Sequence, residues 1–304
     1  MITQLDREDI LILTKTYPQP SVKYRETTCV AGVTQSGQLR RLFPLPYRLL
    51  EGEKQFKKWE WINASVQKAG SDHRPESFRV DTDSIIRPSK PPISTKDGWA
   101  ERRVWLAPHI VSSFSELEDR RNATGQSLGI IRPTRILKLD ITPEPEPDWT
   151  EKERDNLMSD KMFDSDDVRS RIPLRKLPYR FHYRYECETP DGVLSHRHLI
   201  TDWEVGVLFW KCHGFDRVNP DWEARFRQKL ETEFSQKDLL FLMGTMHRFP
   251  DKWLIIGLIY PPKPDLSQVV QHHLEWEDAA PEARGCVREG HLRHTYGGSD
   301  GNPP

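Results

Sequence analysis

The chain has 304 residues, 36% of them apolar and 30% charged, with a formal net charge of -1. That length exceeds the usual single domain and is enough to bury a real core, while the near-neutral charge leaves any argument for a polyanionic partner to local clusters. The longest apolar runs, Ile10–Leu13 and Trp253–Tyr260, fall far short of the roughly 20 residues that cross a bilayer, and Met1–Asp9 lacks the apolar segment of a signal peptide, so a cytoplasmic protein without membrane contact is expected. Four cysteines, Cys29, Cys187, Cys212 and Cys286, are too far apart for a CxxC knuckle and are expected to be free thiols.

In chain order, Ile10–Thr14 and Thr27–Val33 read as strands separated by the polar stretch Lys15–Glu26. A Ser36-Gly37 turn leads into a strand over Leu39–Phe43, and Trp59–Val66 and Ser77–Val80 complete five short strands within about 80 residues, a small barrel for which the OB type is one candidate. A helix is expected over Ala107–Asn122 and a strand over Ile136–Ile141. Residues 142–170 hold ten acidic against four basic residues and three early prolines, an acidic linker with room for one short helix. Charge then reverses: Arg171–Tyr185 carries five basic residues, no acid, and Tyr179, Phe181, Tyr183 and Tyr185 alternating as on a strand. Helices are expected over Glu204–Lys211 and Asp221–Phe234, and Leu239–Thr245 pairs with Trp253–Tyr260 through the basic loop His247–Lys252. The fold class is therefore α+β: an OB-like β-rich domain with a packed helix over 1–141, the linker 142–170, a mixed α+β domain over 171–262, and a disordered polar tail over 263–304.

Positions 1–80 hold 13 basic against 9 acidic residues, a local positive excess in a neutral chain. The candidates for nucleic-acid contact are Lys15, Lys23, Arg25, Arg40, Arg41 and Arg48 against phosphates, with Tyr17, Tyr24 and Trp59 available to stack on bases. The same loop would equally serve as a solvated surface whose tyrosines cover a sheet edge.

Cys29-Val30-Ala31-Gly32-Val33, the turn at Gly37 and Arg40-Arg41-Leu42-Phe43-Pro44 together resemble the start of bacterial dual-OB-type nucleic-acid-binding proteins, over roughly the first 90 residues. The chain departs from that pattern by the basic and aromatic insertion Lys54–Trp61. With Asp202-Trp203-Glu204 and Phe241-x-x-Gly244-Thr245, the whole chain resembles an uncharacterised bacterial family found in DNA-modification and phage-defence loci. The resemblance implies an accessory protein that binds DNA or RNA beside other proteins of a defence or modification complex.

Two constellations would support chemistry instead. Cys187, His196, His198 and Cys212 offer sulfur and imidazole ligands for a zinc ion, against the alternative of buried thiols and ordinary strand histidines. Asp202 and Glu204, at strand spacing, would hold a divalent cation for a nuclease or base-modifying reaction, or else cap a helix that begins near Trp203. Gly244–Arg248 is either a phosphate-binding turn or a hairpin loop. No GxxxxGK[ST], GxGxxG or GxSxG is present, which removes the usual signatures of P-loop, Rossmann and α/β-hydrolase enzymes. A protein-docking subunit of a larger assembly is the third reading.

Overall fold

In the computed structural model, residues 6–158 and 173–264 are described. Six strands open the chain: β1 (Asp6–Lys15), β2 (Gln19–Ser21), β3 (Arg25–Thr34), β4 (Leu39–Leu45), β5 (Trp61–Lys68) and β6 (Ser77–Val80). β1 pairs antiparallel with both β3 and β5, β3 with β4, β4 runs parallel to β6, and β6 returns to β5. The ring β1-β3-β4-β6-β5-β1 is a closed five-stranded barrel with OB connectivity. The Lys54–Trp61 insertion sits in the connection before β5 and does not interrupt closure, since β5 still pairs with β1 along six residues.

Next come α1 (Lys96–Leu106), β7 (Ile110–Val111), α2 (Phe114–Thr124), β8 (Leu128–Ile131), β9 (Arg135–Pro143), α3 (Glu151–Met158), β10 (Tyr179–Thr189) and β11 (Gly192–Leu199). The helix expected from Ala107 begins only at Phe114, because Ser113 is its N-cap and accepts from the Glu116 amide, while Ile110–Val111 is drawn into a parallel pairing with β8. The strand expected from Arg171 starts at Tyr179. Then follow α4 (Trp203–His213), α5 (Trp222–Arg227) with a π-helical continuation over Gln228–Glu233, β12 (Leu240–Thr245) and β13 (Trp253–Ile259). The tail expected to be disordered lies, from residue 265 on, outside the described residues.

The second half repeats the connectivity of the first. β9 pairs with β10, β10 with β11, β12 with β13 and with β8, and a parallel bridge from Ile200, just after β11, to Ile255 closes the ring. Counting β8 and β9 as one strand broken at Arg132–Thr134, the order is again that of an OB barrel, with α4 and α5 between its third and fourth strands. β9 and β10 lie on either side of the acidic stretch, which is thus a connection inside the second barrel.

Two-faced burial explains the apolar runs. In β1, Ile10 and Ile12 fill the first barrel while Leu11 and Leu13 face outward into a second cluster. In β12, Phe241 and Met243 fill the second barrel while Leu240 and Leu242 join that same outward cluster, with Ala31, Val33, Leu128, Ile130 and Ile256. The barrels therefore pack wall against wall, and a strand apolar on both faces is what such packing requires. Each fully buried aliphatic side chain in this seam contributes roughly 1.5–3 kcal/mol. Glycine permits the closest approach: a Cβ at Gly257 would lie 2.6 Å from the Thr14 hydroxyl, and one at Gly206 would overlap the Tyr17 ring.

Candidate nucleic-acid interface

The seam consumes much of the surface that the sequence marks as basic. Arg41 is buried, donating to the Ser127 hydroxyl (2.7 Å) and carbonyl (2.9 Å), and Ser127 in turn donates to Glu76. It is a bolt between the barrels and out of reach of a phosphate. Tyr17 receives the indole N–H of Trp210 (3.0 Å) and donates to the Arg175 carbonyl (2.8 Å), so its ring is held by the second barrel instead of offered to a base. Trp59 is buried at the seam, and Arg40 is bidentate with Glu8. Arg48 pairs with Glu26, whose carboxyl is itself pushed up by burial. Lys23 is exposed over the Tyr24 ring at the tip of the loop before β3, and Arg25 donates to the Leu157 carbonyl of α3. Lys15, Tyr17 and Arg48 come together beside α4; Lys23, Tyr24 and Arg25 form a separate tip, and Arg40 and Arg41 lie elsewhere on β4.

Neither expected metal set assembles, and among the described residues no three His, Cys, Asp or Glu side chains converge. Cys187 points into the second barrel's core, while His196 and His198 pack at a tilt against the rings of Phe114 and Tyr185. Cys212, on α4, packs against the outside of that core. Asp202 is not paired with Glu204 on a strand face. It is the N-cap of α4, buried, with Oδ1 accepting from the Glu204 amide (2.6 Å) and Oδ2 from the Leu258 amide (2.8 Å), and burial pushes its carboxyl up. Glu204 instead receives Lys58 at 3.0 Å. Gly244 lies within β12, where the Arg41 guanidinium would stand 3.2 Å from an added Cβ, so its smallness admits Arg41 and makes no phosphate nest.

What remains open is the outer wall of β9, β10 and β11. Alternation along β10 turns Phe181, Tyr183 and Tyr185 inward and Arg180, Arg184 and Glu186 outward. Cross-strand register sets Arg184 beside Lys138 on one side and Arg197 on the other. Arg184 and Arg197 each donate one Nε–H, at 2.7 Å, to the same Asp140 oxygen. Burial works against the charge on Asp140, but hydrogen bonds from Arg197 and Arg184 hold it down at about 2. Arg180 forks onto Glu144 and Arg135 onto Glu186. The carboxylate side chains lie low, 11% exposed at Asp140 and 20% at Glu144, whereas Arg184 is 48% and Lys138 58% exposed. The wall thus shows solvent a layer of cations over a layer of acids. His182, among them, is held at about 4 by burial and by Arg197, and stays neutral at neutral pH.

Arg180 and Arg184 lie in the basic segment legible in the sequence, but Lys138 and Arg197 do not. The alternation of Ser195-His196-Arg197-His198 was the available signal for Arg197, and it acquires meaning only once this strand is registered on β10.

Two OB-type barrels packed wall against wall, the second with an open cationic wall, define the class. The chain belongs to the family described as a domain of unknown function (DUF8757), whose model matches residues 110–277; a second domain of unknown function (DUF8758) matches residues 6–108, so that the matched segments divide the chain as the two barrels do. No curated protein matches it. Among solved structures, a murine DNA-binding protein bound to double-stranded DNA is 10% identical, covering 86% of this chain and 99% of its own, at a TM-score of 0.30. A replication protein A heterotrimer bound to single-stranded DNA is 9% identical, covering 91% of this chain and 70% of its own, at a TM-score of 0.23. At such scores neither likeness carries an argument.

Proposed function

We propose that this protein binds nucleic acid, DNA first among the candidates, on the β9-β10-β11 wall of its second barrel. The observation that carries the reading is the Arg184–Asp140–Arg197 cluster: one half-buried carboxylate fixes two guanidinium groups through their Nε atoms and leaves the terminal amino groups of both without a hydrogen-bond partner among the described residues. Guanidinium groups held in this way have side-chain freedom already removed and present forked donors to phosphate. The outer wall of the first three strands is also where OB barrels have room for an extended strand, and in the first barrel that wall is covered by the seam. Cations without exposed aromatic rings between them favour backbone contact with little sequence preference.

The role as an accessory protein of a DNA-modification or defence complex rests on the sequence resemblance. The metal-dependent enzyme has no such support, since its candidate ligands do not converge.

The test is binding to labelled single-stranded DNA, double-stranded DNA and RNA across a salt series. An Arg184→Gln, Arg197→Gln double variant is run beside Lys23→Ala, Arg25→Ala. Loss of two phosphate contacts lowers the slope of log affinity on log salt by about 1.4 for a single strand. The first variant is expected to show that loss and the second to show less. Affinity that ignores salt, or that survives the first variant unchanged, sinks the reading and turns attention to a protein-docking subunit.

A further inference from the structure

Beside α4 the seam opens into a cavity of about 550 Å³, within the range of pockets that hold small organic ligands. Both barrels build it: Lys15 from the end of β1 and Lys57 and Lys58 from the insertion before β5, facing Lys211 of α4 and Lys229 of the π-helical turn. Five lysines therefore share one cavity with two carboxylates, Asp202 and Glu204, and both of these are occupied, the first by backbone amides and the second by Lys58.

The lysines are unequally engaged. Lys58 donates to the Leu258 carbonyl (2.7 Å) as well as to Glu204, and Lys229 pairs with Glu233. Lys15 has no carboxylate among its contacts: it donates to the Phe56 carbonyl (2.9 Å) and lies 3.9 Å from the centre of the Tyr47 ring. Burial pulls the Lys15 ammonium down to about 8, against the upward pull of Glu204, Glu60 and Asp202, while the Lys58 charge acts in the same direction as burial. Lys57 and Lys211 are exposed at the cavity and make no ion pair among the described residues. Several ammonium groups gathered in a partly desolvated space repel one another, and an anion placed among them removes that cost. Phosphate is an anion that lysine ammonium groups hold as point charges. The remaining lining is largely apolar and carries two half-buried rings, Trp203, met edge-on by Tyr47, and Tyr260, one face of which is stacked on Phe234; aromatic rings of this kind pack against a planar ligand ring.

We infer that this cavity binds a phosphorylated ligand bearing a planar ring, of the chemical class of a nucleotide, with its phosphate among Lys15, Lys57 and Lys211. The ligand is either a free nucleotide or the 5′-phosphorylated end of a nucleic-acid strand, which share this chemistry. The cavity is distinct from the β9-β10-β11 wall, so the inference does not depend on nucleic-acid binding there.

Calorimetric titration of the full chain with AMP, ATP, inorganic phosphate, and a short oligothymidylate with and without a 5′-phosphate tests it. Saturable binding of AMP or ATP, weakened at least tenfold by Lys15→Met and at least threefold by Lys211→Gln, is expected. Lys211 is exposed, so its variant reports on binding even where Lys15→Met fails to fold. A 5′-phosphorylated oligonucleotide preferred at least fivefold over its 5′-hydroxyl form, with the preference lost in Lys211→Gln, supports the strand end as the source; AMP or ATP binding without that preference supports the free nucleotide. The inference is overturned if neither AMP, ATP nor the 5′-phosphate gives saturable binding, if inorganic phosphate binds as tightly as AMP, or if Lys211→Gln leaves all affinities intact.

Discussion

The guanidinium of Arg41, on β4 of the first barrel, meets the hydroxyl of Ser127, at the threshold of β8 in the second, at 2.7 Å, and Ser127 passes the contact on to Glu76 at 2.8 Å. Removing the guanidinium leaves the buried Ser127 carbonyl and hydroxyl without their donor, while Glu76 keeps the bonds from Ser127 and Leu128. Arg41→Leu is expected to lower the unfolding free energy by about 1–3 kcal/mol. Because the seam is shared, denaturant melts should show both barrels losing stability in one transition. Two separated transitions, with only one shifted, would contradict this.

Gly206 makes room for Tyr17, whose ring carries the hydrogen bond from Trp210 across the seam. Gly206→Ala forces the ring aside and is expected to cost about 1–3 kcal/mol. Tyr17→Leu removes the obstacle along with the hydrogen bond, so the double variant should be less destabilised than the sum of the two singles. A thermodynamic cycle measures that coupling, and strict additivity would show that the two residues do not meet.

His198 accepts or donates at Tyr185 (3.0 Å) inside the wall of the second barrel, and burial first, then the neighbouring His196, holds it at about 4. An unfolded histidine titrates near 6.5. Between about 6.5 and about 4 the unfolded chain takes up a proton that the folded one refuses, so stability is fully present above that window and falls as pH drops through it. Melting temperatures read from pH 7 to pH 5 should fall, and His198→Gln should flatten part of that slope, His182→Gln a further part.

Arg197 is 39% exposed and shares Asp140 with Arg184. Arg197→Glu reverses the charge at the centre of the open wall while leaving both cores intact. Affinity for single-stranded DNA at low salt should drop at least tenfold with a melting temperature within a few degrees of the parent. Equal loss of stability and binding would mean that the residue serves the fold alone.

Much of the first barrel was legible in the chain. Alternation and turn signals placed β3, β4, β5 and β6 within two residues of their observed limits and found β1 four residues short at its polar start, and the likeness around Cys29–Pro44 named the right kind of barrel. The capping role of Asp202 was legible as one of two readings, since an acid just before an amphipathic helix satisfies its first amides. The second barrel was not legible, for a physical reason: its first strand is broken at Arg132–Thr134, and its ring closes on a single bridge between Ile200 and Ile255. Neither feature leaves a periodic trace.

By itself, then, the sequence determined most of the long strands, because residue alternation and β-branched or aromatic content act locally, while β2, β7, β8 and β11 were set by pairing and the two-faced burial of Ile10–Leu13 and Leu240–Met243 by packing. The tertiary structure alone decided which charges are free. Arg41, Tyr17 and the zinc candidates looked available in one dimension and were spent on the seam or the core. Lys15, Lys57, Lys211 and Lys229, scattered over more than 200 positions, were brought to one cavity. Charge and aromaticity are properties of residues; exposure and convergence belong to packing between strands distant in the chain, and packing chose the site.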